Sequence, residues 1–167
     1  MKRLYIIRHA AAERPRNNQV DFKRKLTEKG IQEAKQSAIL LANRLSKQPL
    51  INPIIISSTA NRAQETAELF CEALAWSRQE LILAENIYEA HHLELLKIIN
   101  DIPEKHTALI LFGHNPGLSD LINYLTIDSI NLGTANIACL NLEAGIGFSL
   151  ASANTAYLEE ILFPKNL

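Results

Sequence analysis

The chain has 167 residues, of which 47% are hydrophobic and 21% charged, a composition typical of one globular domain with a single substantial core. Its formal net charge of −1 excludes the global positive field that attracts nucleic acid or an anionic membrane, so any specificity for an anion must be local. No apolar stretch approaches the roughly 18 residues of a membrane span. The sequence therefore predicts one soluble domain over residues 1–167, without a nucleic-acid or membrane partner.

The cysteines favour a reducing compartment. Cys71 and Cys139 show neither a disulfide framework nor zinc-ligand spacing, and buried free thiols are the simpler interpretation. The apolar run between Arg3 and Arg8 has four residues, against about 7–15 in the core of a secretory signal. We therefore expect a cytoplasmic protein.

The predicted elements alternate between strands and helices. Residues 3–8 form a short apolar strand, and the polar stretch over residues 10–25 has no periodicity, which is typical of a functional or mobile loop. A helix then begins near Thr27, a good N-cap, with Leu26 and Ile31 placed as a hydrophobic staple. The remaining predicted elements are a strand at 54–56, a helix at 63–74, a strand at 81–83, a helix at 92–100, a strand at 107–112, a helix starting at Asn115-Pro116, and strands at 137–142 and 155–162.

This alternation predicts βαβ units and therefore an α/β fold, with a mostly parallel central sheet between two helical layers in a three-layer α/β/α sandwich. Ligands of such sheets bind beyond the carboxyl ends of the strands. Arg8-His9, Arg62 and His114 each follow a predicted strand, so the fold itself should bring them together. Two guanidinium groups that stay charged, beside two imidazoles, indicate a pocket for a phosphoryl group.

The residue types assign roles within such a pocket. His9 is the predicted nucleophile, and the neighbouring arginines should lower its pKa and keep its ring neutral. Arg8 and Arg62 would stabilise charge on the equatorial oxygens of the transferring group. His114 is better placed as a cation on that group, its protonated form being favoured once a phosphate dianion binds.

Three separated motifs resemble the histidine phosphatase superfamily, which has the phosphoglycerate mutase-like fold. They are Arg8-His9-Ala10, the segment 57–66 around Arg62, and Gly113-His114-Asn115-Pro116-Gly117. The short chain, the segment 24–30, Tyr88-Glu89-Ala90 and the closing residues 163–165 resemble more specifically the small SixA-type phosphohistidine phosphatases. The resemblance implies one antiparallel strand in the sheet, the same roles for the two histidines and two arginines, and no metal or other cofactor.

The resemblance also adds two residues to the candidate site. Glu89 matches the position of the family's acid and could protonate a leaving oxygen or activate water. Arg24 is either part of a solvated basic turn with Lys23 and Lys25 or, as the resemblance implies, a contact to phosphate or substrate. Two positions depart from the family pattern, Ala10 in place of glycine and Thr59 in place of proline, and we expect altered loop detail with the chemistry retained.

The other polar residues have structural interpretations. Ser58 and Thr59 are sufficiently explained as helix caps. His91 and His92 point apart on a helix and lack a partner histidine or a cysteine cluster, so we expect exposed side chains and no metal site. His106, at a strand entrance, should also lie at the surface.

The sequence thus favours a metal-independent phosphatase whose substrate bears a phosphoryl group, with phosphohistidine on a protein domain as the first candidate. A small-molecule phosphomonoesterase of the same superfamily is the alternative enzyme. A noncatalytic phosphate-binding or partner-binding module is the alternative of a different class, although a binder would not need a nucleophile. The sequence does not decide the physiological substrate or the oligomeric state.

Overall fold

The computed structural model describes residues 1–165, in which one six-stranded sheet is covered by helices. The strands are β1 (Arg3–Arg8), β2 (Pro53–Ser58), β3 (Leu81–Ala84), β4 (Ala108–Gly113), β5 (Ile137–Leu142) and β6 (Ala156–Leu162), and the helices are α1 (Glu28–Lys47), α2 (Asn61–Ala73), α3 (His92–Asn100) and α4 (Gly117–Leu125). The sheet order is β3-β2-β4-β1-β5-β6, and β5 runs antiparallel to both of its neighbours. The predicted α/β class is confirmed, including the antiparallel strand that the resemblance implied.

The two faces of the sheet pack against different helix pairs. Along β1, Leu4 and Ile6 join a core cluster with the apolar residues of α3 and α4, whereas Tyr5 and Ile7 join a second cluster with those of α1 and α2. Because successive side chains of a strand point to opposite faces, one apolar run supplies both cores. This arrangement is the predicted three-layer sandwich.

Three adjacent parallel strands end at one edge of the sheet. The pairing of β1 with β4 places Arg8 opposite Gly113, and the pairing of β2 with β4 places Ser57 opposite Phe112. The segments that follow these strands therefore leave the sheet side by side, as expected for a ligand site of an open α/β sheet.

Two glycines allow the segments around this edge to approach closely. A Cβ atom at Gly30 in α1 would lie 1.9 Å from the carbonyl oxygen of Ala11, and one at Gly117 would lie 2.3 Å from that of Ala90. Real Cβ atoms do not come so close to a backbone oxygen. The absence of a side chain at Gly30 thus lets the loop after β1 pack directly on α1, and its absence at Gly117 lets the loop before α3 pack directly on α4.

The helix starts confirm one predicted cap and correct the others. The Thr27 hydroxyl accepts a hydrogen bond from the Gly30 N–H at 3.0 Å, as predicted for an N-cap. The N-cap of α2 is Ala60, so the assignment of Ser58 and Thr59 as its caps was wrong. Ser58 Oγ accepts from the Ala60 N–H at 3.2 Å, one residue before the helix. Helix α4 has Pro116 as N-cap, one residue later than predicted.

Two further observations concern the environment of the chain. Cys71 and Cys139 are both buried and free, as the sequence predicted. No helix within residues 1–165 is long and apolar enough to cross a membrane.

Candidate active site

The edge formed by β1, β2 and β4 brings the predicted histidines together. The ring centroids of His9 and His114 are 5.3 Å apart, and the ring of Tyr88 stands edge-on to His114 at 5.5 Å. Two residues separated by more than a hundred positions in the chain thus lie within reach of one bound group, as the sequence predicted.

The ring of His9 is oriented by its own neighbour. His9 Nδ1 lies 2.8 Å from the carbonyl oxygen of Ala10, and because a carbonyl only accepts, Nδ1 carries the proton and donates it. Burial, followed by the charges of Arg62 and Arg8, lowers the pKa of His9 to about 4 against the opposing effect of the Ala10 hydrogen bond. At neutral pH the ring is uncharged, and its lone pair is on Nε2.

His114 is held by a serine from the neighbouring strand. Its Nε2 lies 2.8 Å from Ser58 Oγ, a contact that the interpretation of Ser58 as a cap missed. Burial, then the proximity of His9 and Arg62, lowers the pKa of His114 to about 3. The ring is therefore neutral in the substrate-free protein, and the predicted cation would have to form after an anion binds.

The two arginines are positioned alike. Arg8 donates through Nη1 to the carbonyl oxygen of Leu132 at 3.0 Å, and Arg62 donates through Nη1 to that of Asp21 at 2.9 Å. In both residues Nε is buried without a protein partner, as are Nδ1 of His114 and Oγ1 of Thr59. An anion in this pocket would satisfy donors that are otherwise costly to bury.

Asp21 is the residue of the site that the sequence did not reveal. Its Oδ2 accepts from the Tyr88 hydroxyl and from Arg62 Nη2, 3.1 Å away, and its Oδ1 accepts from Nε and Nη2 of Arg24, each at 2.8 Å. The Tyr88 hydrogen bond, followed by the charges of Arg62 and Arg24, lowers the pKa of Asp21 to about 2 against partial desolvation. Burial and the bond to Asp21 raise the pKa of Tyr88 to about 12.

The signal that could have found Asp21 was its position. It lies in the aperiodic polar stretch that the sequence marked as functional, three residues before Arg24, and the structure forms a short 3-10 turn there over Asp21–Lys23. With four donors on two oxygens, its carboxylate is saturated. Asp21 therefore joins the loop, Arg62 and Tyr88 into one rigid wall.

Arg24 belongs to that wall. Besides Asp21, it binds the carbonyl oxygen of Glu13 through Nη1 at 2.7 Å, and its side chain is 17% exposed. The interpretation as a solvated basic turn is right for Lys23 and Lys25, which are exposed, and wrong for Arg24. Contact of Arg24 with phosphate stays a prediction.

Glu89 directly follows Tyr88 and lines the same opening. It lines a cavity of about 290 Å³ together with Asp21, Arg62, Tyr88 and His114, and its φ of +57° places it in the left-handed region. Its side chain is exposed. The carboxyl group is thus near the pocket mouth, and the role of proton donor stays a prediction.

Of the remaining histidines, only His91 lines the described cavity, with its side chain exposed as predicted. His92 is only partly exposed because its ring packs against Tyr124 at 5.2 Å. His106 is also partly exposed, with Nδ1 3.1 Å from the carbonyl oxygen of Asn52. Over residues 1–165, histidine, cysteine, aspartate and glutamate side chains form no group of three that could hold a metal ion.

Both departures from the family pattern have a structural place. Ala10 is fully buried, and its N–H donates to Thr66 Oγ1 at 3.1 Å, while the Thr66 hydroxyl donates to the carbonyl oxygen of Arg62 at 2.7 Å. The end of β1 is thus connected to α2 through a residue of the second motif. Thr59 contributes the buried, unpartnered hydroxyl noted above.

Comparison with known proteins supports the resemblance seen in the motifs. The sequence model of the histidine phosphatase superfamily (branch 1) matches residues 4–116. No significant match was found among curated proteins. This chain belongs to the histidine phosphatase superfamily, and the recognition from three short motifs is confirmed.

Solved structures share the fold over nearly the whole chain. The SixA protein of Agrobacterium tumefaciens is 25% identical, with a TM-score of 0.80 and 98% of each chain covered. A protein histidine phosphatase SixA complexed with tungstate is 20% identical, with a TM-score of 0.77 and 97% of each chain covered. A mycobacterial glucosyl-3-phosphoglycerate phosphatase is 16% identical, with a TM-score of 0.66, 95% of this chain and 97% of the other being covered.

Proposed function

We propose that this protein is a phosphatase that removes a phosphoryl group from phosphohistidine on a protein, through a covalent phosphohistidine intermediate on His9 and without a metal ion. The observation that carries the proposal is the state of His9. Its ring is neutral, presents the lone pair of Nε2, and lies 5.3 Å from a second imidazole, near the buried Arg62 and the partly buried Arg8. Membership of the superfamily and the likeness to SixA structures support the same activity.

The first step is in-line transfer to His9. The Nε2 lone pair forms the new N–P bond while the bond between phosphorus and the leaving nitrogen breaks, and its electron pair stays with the leaving imidazole. Phosphoryl transfer gains its rate from positioning and from stabilising charge on the equatorial oxygens. The unpartnered Nε donors of Arg8 and Arg62 suit that task, since guanidinium forks stay charged and bind oxygens in fixed geometry.

His114 serves the same oxygens. A bound phosphate dianion would raise the pKa of His114 from its substrate-free value of about 3, because an adjacent negative charge favours the protonated ring. Nδ1, buried without a partner, would then donate to the phosphoryl group while Ser58 holds Nε2. Water subsequently hydrolyses the phosphohistidine on His9 and regenerates the free ring.

Phosphohistidine is the favoured substrate because its leaving group needs little help. An imidazole with an unperturbed pKa near 6.5 departs far more easily than an alkoxide. In this protein the acid that the family resemblance indicates, Glu89, is exposed at the rim. A site that does not bury its acid beside the leaving group suits a substrate that does not require one.

A small-molecule phosphomonoesterase is the second candidate, and the position of Glu89 in the cavity wall favours it. From there the carboxyl group could protonate the oxygen of an ester substrate. The two candidates share the phosphate-binding residues and differ in their dependence on the acid.

A competition assay tests the proposal. A histidine-phosphorylated protein, a phosphotyrosine peptide and sugar phosphates are offered to one preparation, and phosphate release is followed for wild type, His9→Ala and the control His106→Ala, with and without chelator. We expect preference for the phosphohistidine protein, loss of turnover in His9→Ala alone, and no effect of chelator. Preference for a sugar phosphate would indicate the phosphomonoesterase. Phosphate binding without turnover would indicate a noncatalytic module. Chelator-sensitive turnover that survives His9→Ala would indicate a metal hydrolase.

A further inference from the structure

The loop after β1 carries a charge unlike that of the rest of the molecule. Residues 13–25, here termed the basic loop, contain five basic and two acidic side chains, a net charge of +3 in a chain whose total is −1. The basic side chains are Arg14, Arg16, Lys23, Arg24 and Lys25. The field that the whole chain lacks is thus present locally.

Most of these charges are not neutralised within the protein. Arg24 is paired with Asp21. Arg14, Arg16, Lys23 and Lys25 are exposed, and within residues 1–165 none of these four forms a salt bridge. Since unpaired cations at a surface keep their field toward solvent, they can attract an acidic partner.

The fold places this surface at the rim of the pocket. Asp21 lies in the cavity wall, the ring of Phe22 packs edge-on against that of Tyr88 at 5.2 Å, and Asn61 donates to the carbonyl oxygen of Lys23 at 3.0 Å. The 3-10 turn is therefore held against both the pocket and the start of α2. Lys23 is the last residue of this turn and Lys25 follows two residues later, so both exposed lysines lie next to a segment that lines the cavity.

The size of the pocket determines what touches that rim. A cavity of about 290 Å³ admits a phosphorylated side chain, whereas the protein that carries the side chain stays outside. Its surface then meets the residues around the opening, and charges within about 8 Å, the Debye length at physiological salt, interact with it largely unscreened. Charges at such a rim mainly change the association rate and its salt dependence.

We propose that the basic loop is the docking surface for an acidic face of the phosphohistidine-bearing protein. The inference rests on the proposed function and deepens it. The pocket recognises the phosphoryl group, and the loop selects the protein that presents it. A small phosphoramidate uses the pocket alone.

The test compares matched charge reversals on two substrates. K23E/K25E alters the basic loop. K47E/K105E makes the same change in net charge at two exposed lysines outside that loop: Lys47 ends α1, about 30 Å from the start of that helix, and Lys105 precedes β4. Each variant is assayed with phosphoimidazole and with two histidine-phosphorylated domains, one of net negative and one of net positive charge, at two salt concentrations.

We expect kcat/KM for the acidic domain to be about tenfold lower in K23E/K25E than in wild type, since charges around the opening act on association. We also expect wild-type kcat/KM to fall as salt is raised, and that of K23E/K25E to be insensitive to salt. Turnover of phosphoimidazole, and every activity of K47E/K105E, should stay at the wild-type level. Equal kcat/KM of K23E/K25E and wild type on the acidic domain overturns the inference. Absence of His9-dependent phosphoimidazole turnover in the wild type contradicts the proposed function instead.

Discussion

At the scale of single residues, the site depends on side chains whose protonation is set by burial and by one another. His9 and His114 are both neutral before substrate binds, since burial outweighs other influences on each pKa. Asp21 is the charged counterpart, an aspartate kept ionised by Tyr88 and two arginines. Each of these states has a measurable consequence.

The first consequence is the titration of His9. We expect its ring to titrate near pH 4 rather than 6.5, so that the proposed nucleophile stays uncharged throughout the neutral range. NMR of the ring protons against pH measures this value, with the signal assigned by its loss in His9→Ala. A midpoint between pH 6 and 7 would contradict the desolvated state described above.

The second consequence concerns Glu89. Glu89→Gln should reduce hydrolysis of an alkyl phosphate about 10²-fold, the usual contribution of a general acid, and hydrolysis of a phosphohistidine peptide only a few-fold. Steady-state kcat/KM on the two substrates tests this difference, with Glu85→Gln, another exposed glutamate, as the control. Equal loss on both substrates would remove the leaving-group argument for phosphohistidine.

The third consequence concerns Asp21. Its pKa falls from 3.8 to about 2 on folding, so its ionised form stabilises the fold above pH 4 and this contribution is lost as pH falls toward 2. We expect Asp21→Asn to lower Tm by a few degrees at pH 7, with the difference from wild type shrinking below pH 4. The exposed Asp128 supplies the control Asp128→Asn, and a pH-independent difference would show that charge is not the cause.

At the scale of secondary-structure elements, residues at the start of α4 position Arg8 through hydrogen bonds to the backbone of Leu132. The Ser119 hydroxyl donates to Asn115 Oδ1 at 2.8 Å and accepts from the Leu132 N–H at 2.9 Å. Asn115 Nδ2 in turn donates at 2.8 Å to the Leu132 carbonyl oxygen that receives Arg8. Both backbone polar groups of Leu132, the N–H and the carbonyl oxygen, are therefore held, and Arg8 is aligned through Leu132 by Ser119 and Asn115.

Loss of these hydrogen bonds should weaken catalysis more than stability. We expect Ser119→Ala to lower kcat/KM about tenfold, because a small displacement of a phosphate-binding group costs rate steeply, with a modest change in Tm. Kinetics on phosphoimidazole measure the loss, and Ser46→Ala on the exposed end of α1 is the control. Wild-type kcat/KM in Ser119→Ala would show that Arg8 is positioned without it.

The contact between α1 and the loop after β1 gives a further prediction. Gly30→Ala would force a methyl group into the Ala11 carbonyl oxygen, and we expect a destabilisation of about 1–3 kcal/mol, as for other overpacked sites. Gly147→Ala meets only the Glu104 side chain, which can move, and serves as control. Denaturant unfolding of both variants measures the difference, and equal stability would mean that the loop shifts freely.

At the scale of the whole molecule, the sequence predicts those features of the fold and the site that depend on residues close together in the chain. The apolar run of β1, the Thr27 cap and the position of Arg62 and His114 after strands could all be deduced, because each depends on neighbouring residues. The order of the six strands and the wall built on Asp21 could not, since they depend on pairings between distant segments and on a loop without periodicity. The charge of the basic loop was visible in the sequence, and its place at the pocket was not.

The position of β1 at the middle of the sheet has one more consequence. The N–H of Ala135 bonds to the carbonyl oxygens of Arg8 and His9, and the Leu132 carbonyl holds the Arg8 side chain. Arg8 and His9 are thus held by a segment that is synthesised more than 120 residues later. During synthesis on the ribosome, these contacts can form only after residues 132–135 have emerged, so we expect a translation product that ends before them to lack this arrangement.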